Sequence, residues 1–281
     1  AELRAALEAG CPAAKAAALG EICGAVRGMA FEEQGCGVVL QALALADDPP
    51  AVAAALAAGL QDSICEACSS PHAAKVLEAI GRLLGADWCI HVASSLHGDD
   101  ARRVATHVAG SAVICQLLEV APAAAATAAL VDEVLAGDVG VLMCHKFGYA
   151  VALAIASSAL PRQRSALAAA LLADLQRFAR HRFASLVVAS VFKSCSAAES
   201  QHLARTLMDQ AGAVASLACH GFGVRVVKAM LELPGASQQV VGYLRKCSRR
   251  LQKDKFGAQL LQEFDIQCRG MEVGIHRCAG G

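Results

Sequence analysis

A six-residue pattern recurs seven times along this chain at an almost constant spacing. It begins with Gly or Ala, and its fourth and fifth residues are nearly always branched aliphatic residues or Leu. The seven copies start at Gly35, Ala73, Gly110, Gly148, Ala184, Gly223 and Gly257. The steps are 38, 37, 38, 36, 39 and 34 residues. A fixed period in this range is typical of stacked helical repeats rather than of one closed globule.

The composition favours helices. Apolar residues make up 56% of the 281 residues but aromatic residues only 4%, and much of the apolar content is Ala, which has the highest helix propensity. We therefore expect an all-α fold. No linker rich in Pro, Gly or Ser interrupts the pattern, so a single repeat domain over residues 1–281 is expected. The expected repeats are 16–52, 53–89, 90–126, 127–163, 164–199, 200–238 and 239–268, with a tail at 269–281.

Breaks in the apolar periodicity divide each repeat into helices. Ala51–Cys68 follows two prolines, which are favoured at a helix start, and a Ser-Ser-Pro sequence then breaks the chain. A second helix is expected over Ala73–Leu84, with Gly85 as its stop. Ser165–Ala179 and Ala184–Lys193 repeat this order. The fourth and fifth residues of the pattern are expected to be buried between neighbouring repeats.

A polar residue stands four positions before the second residue of the pattern in the later repeats. It is His in four consecutive repeats and Asp in the last one: His107, His145, His181, His220 and Asp254. One interpretation is a ligand or an RNA contact. The other is a residue at the bend between two helices whose side chain caps the next helix. The regular spacing favours the structural interpretation, and side chains in different repeats are too widely spaced to share a metal ion.

Thirteen cysteines are spread over the repeats, mostly in apolar segments, where free Cys packs as a small apolar residue. Cys65 and Cys68 form a CxxC with His72 four residues later, which leaves a zinc or redox site open, but no second pair completes four ligands. Packing is favoured, and we expect no metal ion and no cofactor. No Gly-rich phosphate loop, GxSxG elbow or cluster of carboxylates occurs, so we expect no catalytic residues and no enzyme.

The apolar runs predict no membrane insertion. The most apolar stretch, Ala150–Leu160, is well below the ~20 residues of a membrane-spanning helix. We expect a soluble protein of a reducing compartment, in the cytoplasm or the interior of an organelle. The sequence begins with Ala1 rather than Met, which leaves the compartment open.

Charge is distributed unequally along the chain. Residues 1–140 contain 7 basic and 17 acidic residues, whereas residues 141–281 contain 18 basic and 8 acidic ones. Such an asymmetry indicates that a polyanion or an acidic partner meets the C-terminal half, although charges scattered over solvent-facing helices are an alternative. The basic residues are densest in two clusters: Arg245, Lys246, Arg249, Arg250, Lys253 and Lys255, and Arg177, Arg180 and Arg182.

Several repeats share a longer pattern. His181–Val188 reads HRFASLVV, His145–Gly148 reads HKFG, and Lys255–Gly257 reads KFG. Gly110–Glu119 reads GSAVICQLLE and Glu33–Val39 reads EQGCGVV. These segments resemble the Pumilio (PUF) repeat family, whose helix carries His-Lys-Phe-Ala-Ser-x-Val-Val. The match covers seven repeats with the right period. It implies a right-handed α-solenoid, a crescent of about seven three-helix repeats.

The resemblance also implies how RNA would be bound. In that family the helix with this motif lines the concave face, and each repeat reads one base. The second and sixth residues contact the base edge, and the third stacks between bases. Carried over to this chain together with nearby basic residues, the candidate RNA-binding residues are Lys75, Glu78, Ser111, Tyr149, Arg182, Ser185, Arg225, Lys228, Lys255, Gln259 and Gln262.

The chain departs from the family at these positions. No repeat keeps both members of a recognised base-edge pair, and only Arg225 is a family-like stacking residue. Gly37, Ala112 and Ala150 offer no planar surface. Stacking contributes ~1–3 kcal/mol per base, so its loss in about five repeats removes at least ~5 kcal/mol, or three to four decades in affinity. Attraction to the phosphate backbone needs only Lys and Arg and is retained.

Two functions from different classes follow. The first is a Pumilio-like RNA-binding protein of weak or relaxed sequence specificity, in post-transcriptional or RNA-complex roles, that contacts single-stranded RNA mainly through residues 141–281. The alternative is a scaffold subunit of a larger assembly that has lost base recognition and holds a protein partner against apolar residues such as Leu40, Leu153, Leu186 and Val224. The RNA sequence, the partner and the oligomeric state are left open.

Overall fold

The computed structural model describes residues 2–8 and 11–266. Contacts between Cα atoms divide the chain into two compact units, a first unit of residues 1–170 and a second unit of residues 171–281. The regular structure of the described residues is helical, which confirms the all-α prediction. The expected single domain and its repeat boundaries stay predictions, and the expected tail lies outside the described residues.

The helices follow one another with short connections. As far as residue 171 they are α1 (Glu2–Glu8), α2 (Pro12–Phe31), α3 (Glu33–Leu45), α4 (Pro49–Leu60), α5 (Ile64–Cys68), α6 (Ala73–Leu84), α7 (Ala86–Ser94), α8 (Gly98–Ala105), α9 (Gly110–Val120), α10 (Ala125–Leu135), α11 (Val139–Cys144), α12 (Gly148–Ser158) and α13 (Pro161–Leu171). The later ones are α14 (Leu175–Arg180), α15 (Ala184–Ser194), α16 (Ala197–Met208), α17 (Ala213–Ala218), α18 (Gly223–Leu231), α19 (Ser237–Lys246), α20 (Ser248–Leu251) and α21 (Lys255–Glu263). Helix α6 has the predicted bounds, and Gly85 follows it with a φ of 67°.

Each complete repeat consists of a short helix, a motif helix with the six-residue pattern, and a third helix. The motif helices are α3, α6, α9, α12, α15, α18 and α21. The prediction of one helix over Ala51–Cys68 is wrong, because a 3-10 turn at Gln61–Ser63 separates α4 from α5. The Ser63 hydroxyl donates there to a backbone carbonyl three residues earlier (3.2 Å). A second turn, Leu172–Asp174, divides the predicted Ser165–Ala179 helix in the same way.

The fourth and fifth residues of every motif helix are buried, as predicted. Within the first unit α3 packs on α6, α6 on α9 and α9 on α12, and within the second unit α15 packs on α18 and α18 on α21. Burying each such side chain contributes roughly 1.5–3 kcal/mol, so these residues hold neighbouring repeats together. They are Val38 and Val39, Val76 and Leu77, Val113 and Ile114, Val151 and Ala152, Val187 and Val188, Val226 and Val227, and Leu260 and Leu261.

The Gly that opens most copies of the pattern allows two backbones to approach closely. A Cβ atom on Gly148 would lie 2.6 Å from the carbonyl oxygen of Leu142, and one on Gly223 would lie 2.8 Å from that of Leu217. Both oxygens belong to the short helix that precedes the motif helix. The short helix therefore rests directly on the first turn of the motif helix.

A side chain at the preceding bend caps each later motif helix. Nδ1 of His220 accepts hydrogen bonds from the N–H groups of Phe222 and Gly223, both at 3.2 Å. These N–H groups have no carbonyl acceptor within the helix, and the imidazole nitrogen serves as the acceptor instead. The structural interpretation of the periodic His is confirmed. The same two-bond cap is made by Ser70, His107, His145, His181 and Asp254.

A second recurring contact joins the short helices of neighbouring repeats. Arg103 donates to the Ser69 hydroxyl of the repeat before it (3.1 Å), and Arg180 donates to the Ser216 hydroxyl of the repeat after it (2.8 Å). In both pairs, one residue stands seven positions before the start of a copy of the pattern. The other residue stands four positions before the start of the preceding copy. The cation thus lies on either side of the same contact. Between the third and fourth repeats, the residue seven positions before the pattern is Val141. Its side chain is apolar and 60% exposed, and it lies beside a cavity of about 320 Å³.

One segment, Pro49–Cys68, is long and apolar enough to cross a membrane by length and composition, with 20 residues and a mean hydropathy of 1.2. The expectation that the apolar runs are too short or too polar to span a bilayer is wrong for this segment by length and composition. Helix α4 packs on α2 and α6, and its Leu56 and Leu60 have no accessible surface. This burial is the arrangement of a core helix in a repeat.

Replacing His220 by Ala is expected to lower the free energy of unfolding by about 0.5–2 kcal/mol, because two N–H groups at the start of α18 lose their acceptor. His220→Asp is the matched control and should recover most of the loss, since Asp254 makes the same cap before α21. Urea denaturation followed by far-UV circular dichroism measures both variants. Equal destabilisation by Ala and Asp would contradict the capping role.

Candidate nucleic-acid interface

The motif helices present the third and sixth residues of the pattern at the surface, and we call this side of the helices the motif face. These residues are exposed or half-buried in all seven repeats. The second residue behaves differently, since it is buried in four repeats, as Cys36, Ala74, Ser111 and Ser185. In those repeats a base-edge pair made of the second and sixth residues is not presented to a ligand.

Two predicted base-edge residues, Ser111 and Ser185, therefore lie in the interior. Ser111 is 5% exposed, and its hydroxyl donates to the carbonyl oxygen of Val108 (3.4 Å). Ser185 has no accessible surface, and its hydroxyl has no hydrogen-bond partner. The physical reason is the close packing at the first turn of the motif helix, which encloses the side chain at this position.

The motif face of the first unit holds the other early candidates. Lys75 is exposed on α6, whereas Glu78 is half-buried and makes an ion pair with Arg82 (3.3 Å). The backbone carbonyl of Glu78 also accepts a hydrogen bond from Nε2 of Gln116 on α9 (2.9 Å). Tyr149 is half-buried on α12. These residues lie on separate motif helices.

A groove of about 560 Å³ lies on this motif face between α6 and α9. Its lining includes Glu78, Ala112, Cys115 and Glu119. Burial, and then the negative charges of Glu119 and Glu78, raise the pKa of the Cys115 thiol to about 11. The groove is thus lined by small residues, two carboxylates and one cation, Arg82, which is paired with Glu78. The net charge of the lining is negative, which does not favour a phosphate.

The two basic residues predicted on α18 differ in how their charge is used. The Arg225 guanidinium lies 5.9 Å from the ring centroid of Phe222, which is itself 37% exposed. Nζ of Lys228 makes a 2.5 Å ion pair with Glu263 on α21. Arg225 is thus the cation of this helix that remains available to a phosphate, while the charge of Lys228 is balanced locally.

The remaining candidates of the second unit are accessible. Lys255, Gln259 and Gln262 are all exposed on α21. Arg182 is exposed at the bend before α15, and its guanidinium lies 5.0 Å from the ring centroid of Phe183. The structure thus places these four predicted residues at the surface of this unit, three on α21 and one just before α15.

The densest cluster of cations, which we call the basic segment, spans residues 245–255 and contains Arg245, Lys246, Arg249, Arg250, Lys253 and Lys255. All six side chains are exposed, and none makes an ion pair with any residue that the structure describes. The carboxylate within the segment, Asp254, is committed to the N–H groups of Phe256 and Gly257 (2.9 and 3.0 Å). The basic segment is therefore the largest uncompensated charge in the second unit.

Comparison with known proteins rests on structure. No family model matches the chain, and no curated protein matches it in sequence. The RNA-binding domain of Puf3, bound to a recognition sequence from the 3′ UTR of Cox17 RNA, is similar with a TM-score of 0.78 and 16% identity, over 94% of this chain and 80% of that one. PUF-8 in complex with PBE-RNA is similar with a TM-score of 0.77 and 14% identity, over 89% of this chain and 74% of that one. The Puf4 RNA-binding domain is similar with a TM-score of 0.70 and 16% identity, over 85% of this chain and 75% of that one. This chain has the Pumilio-repeat fold.

Within this Pumilio-repeat fold, sequence reasoning missed two features of the second unit. One is the pairing of Lys228 with Glu263, which joins two successive motif helices and is not visible from charge counts. The other is Tyr243, which is 42% exposed on α19 just before the basic segment. Its signal was present in the sequence, because Val240 and Leu244 form the apolar stripe of α19 and leave Tyr243 outside it.

The CxxC of the first unit is part of the packing. Burial raises the pKa of the Cys68 thiol to about 12, while Sγ of Cys65 accepts a hydrogen bond from Arg103 (3.4 Å). The carbonyl of His72 accepts from the thiol of Cys36 (3.2 Å). Among the residues that the structure describes, no group of three or more His, Cys, Asp or Glu side chains is arranged to hold a metal ion.

These thiol environments predict the order of alkylation. At pH 8 a thiol whose pKa is about 11 or 12 holds little thiolate, so Cys115 and Cys68 should react with iodoacetamide far more slowly than the exposed Cys11. Reaction at Cys115 should accelerate as the pH rises towards 11. Glu119→Gln removes one charge that raises this pKa and should accelerate reaction at Cys115, by less than about ten-fold, which is one pKa unit. Mass spectrometry of the digested protein reads each site, and early labelling of Cys68 would contradict its burial.

Proposed function

We propose that the second unit binds single-stranded RNA with weak or relaxed sequence specificity, as part of a post-transcriptional or RNA-complex role and without catalysis. The observation that carries the proposal is the set of exposed, unpaired cations in a chain whose structural neighbours are RNA-binding domains crystallised with RNA. The second unit holds 15 basic and 8 acidic residues, whereas the first unit holds 10 and 17. Neutralising phosphates with Lys and Arg provides affinity that does not depend on sequence.

Relaxed specificity is supported by the motif face. The hydroxyl of Ser185 is buried, and the sixth residue of the same helix is Ala189, so α15 presents no polar pair to a base edge. On α21, Gln259 and Gln262 are exposed amides that can donate to and accept from any base. We expect such a surface to hold the RNA backbone and to discriminate little between bases.

The alternative proposal, a protein-interaction scaffold, is favoured by a different part of the chain. The motif face of the first unit has small or apolar residues at the third and sixth positions of three of its four repeats: Gly37, Leu40, Ala112, Cys115, Ala150 and Leu153. Its groove between α6 and α9 is partly acidic, which opposes a polyanion and fits a polypeptide. Under this proposal RNA affinity is absent even at low salt, and a protein partner is held by the first unit.

A charge-reversal series tests the RNA proposal. The double variant Arg225→Glu and Lys228→Glu should weaken binding of a labelled single-stranded RNA by at least about ten-fold, or ~1.4 kcal/mol. Glu263→Gln releases Lys228 and should strengthen binding, with a salt slope steeper by about 0.7 for one added phosphate contact. Fluorescence anisotropy between 50 and 200 mM salt measures both.

The matched control for this series is Arg27→Glu, a charge reversal at an exposed residue of α2 in the first unit. It alters the net charge as each single change does, so it should leave the affinity within about two-fold if the second unit binds the RNA. Equal losses in Arg27→Glu and Arg225→Glu would show that only net charge matters. No RNA affinity of the unmodified chain at low salt would end the proposal and favour the scaffold.

A further inference from the structure

The basic segment and the motif face lie for the most part on different helices. Arg245 and Lys246 are in the last turn of α19, and Arg249 and Arg250 are on α20, which carry none of the six-residue pattern. Cations in the last turn of a helix are favoured by its dipole, which accounts for the pair on α19. Arg249 and Arg250 are also in the last turn of their helix, but α20 has only four residues and a correspondingly small dipole. The dipole does not account for Lys253, which follows α20, or for Lys255, which is the first residue of α21.

Tyr243 adds an aromatic surface at the start of this segment. The side chain is 42% exposed, and Nζ of Lys246 lies 5.7 Å from the centroid of its ring. The neighbouring Gly242 has no atom within 4 Å of the place where a Cβ would stand, so the backbone beside the ring is open. The packing of α19 is supplied by Val240 and Leu244, which have no accessible surface. The Tyr243 ring is thus not needed for the packing of α19.

An exposed aromatic ring among unpaired cations is the combination that binds single-stranded nucleic acid without sequence preference. A base stacks on the ring, and the cations contact the phosphates on either side of it. An anionic membrane is less well matched, because the exposed residues of α19 that precede the ring, Gln238 and Gln239, are polar and cannot insert. An acidic peptide would use the cations but leave the ring face without a partner.

We propose that Tyr243 and the basic segment form a second single-stranded RNA-binding surface, distinct from the motif face. One base stacks on Tyr243, and Arg245, Lys246, Arg249 and Lys253 hold the adjacent phosphates. The inference rests on the proposed RNA-binding function and adds a site to it. It also implies that an RNA longer than the motif face of the second unit can bind more tightly than a short one, because both surfaces are engaged by one strand.

The test compares variants of the full chain by fluorescence anisotropy with labelled ten-nucleotide oligouridine and oligoadenosine. Tyr243→Ala should weaken both probes by about five-fold or more, which is the lower end of the effect of one lost stacking contact. Tyr243→Phe keeps the ring and should bind as the unmodified chain does. Lys246→Glu with Arg249→Glu should weaken binding further and flatten the salt dependence. The matched control is Arg205→Glu, a charge reversal at an exposed residue of α16 in the same unit, which should bind normally.

Cross-linking provides a readout that net charge does not alter. Oligonucleotides with 5-iodouridine cross-link to stacked aromatic residues, and trypsin releases Tyr243 in peptide 229–245 and the α21 candidates in peptide 256–269. The proposal expects the cross-link in peptide 229–245 and its loss in Tyr243→Ala. Thermal unfolding of each variant confirms that the fold is retained.

The outcomes separate the two proposals. Unchanged RNA affinity in Tyr243→Ala, with loss in Arg225→Glu, would overturn the second surface and leave the proposed function standing. No RNA binding by the unmodified chain would overturn both. Binding of phosphatidylserine vesicles or of polyglutamate through the basic segment, without an effect of Tyr243→Ala on RNA, would also overturn the assignment to nucleic acid.

Discussion

The structure depends on how the first N–H groups of the motif helices are satisfied, which a side chain at the bend does for six of the seven, from α6 to α21. The short helix is pressed against the start of the motif helix, so close that a Cβ on Gly148 or Gly223 would collide with a carbonyl oxygen. These N–H groups are mostly half-buried, and losing the side-chain acceptor at the start of a helix costs about 0.5–2 kcal/mol. The bend residue meets this demand with one acceptor atom that takes two hydrogen bonds. Imidazole, carboxylate and hydroxyl all serve, because the requirement is an acceptor at one point rather than a particular residue.

The largest differences between the repeats lie outside this junction. The buried aliphatic pair and the cap recur along the chain, whereas the third and sixth residues range from Gly and Ala to Arg, Lys and Gln. The first unit has mainly small or apolar residues at these positions, with Lys75 and Glu78 in one repeat, whereas the second unit has basic residues on α18 and amides on α21. Two units with a common architecture therefore present different side chains on their motif faces, and their total charges are opposite in sign. The proposed division of roles follows from these differences.

Most of the fold was predictable because its determinants are periodic. The recurrence of Gly or Ala followed by the aliphatic pair indicated the repeats, and the spacing of His107, His145, His181 and His220 indicated a structural role that their Nδ1 contacts confirm. Determinants that are local and irregular were missed. The Ser63 hydroxyl that marks the turn between α4 and α5 has no counterpart in the apolar pattern. The pattern therefore predicted one helix where the structure has two.

The candidate site was less predictable for a related reason. Accessibility is set by packing, and the burial of Ser185 follows from the closeness of the short helix, which a residue type does not report. Charge is also a property of pairs: Lys228 counts as a cation in the sequence but is balanced by Glu263 from the next motif helix. Tyr243 lies on α19, outside the six-residue pattern, so the repeat carries no signal for it.

The double acceptor at the bends before α6 to α21 has a consequence for how such a chain changes over time. The junction is served by His, Ser or Asp in different repeats and uses no side chain of the motif face. Substitutions on the motif face are therefore selected for what that face binds. A lineage can thus discard one recognition surface and acquire another, repeat by repeat, while each intermediate remains a folded protein.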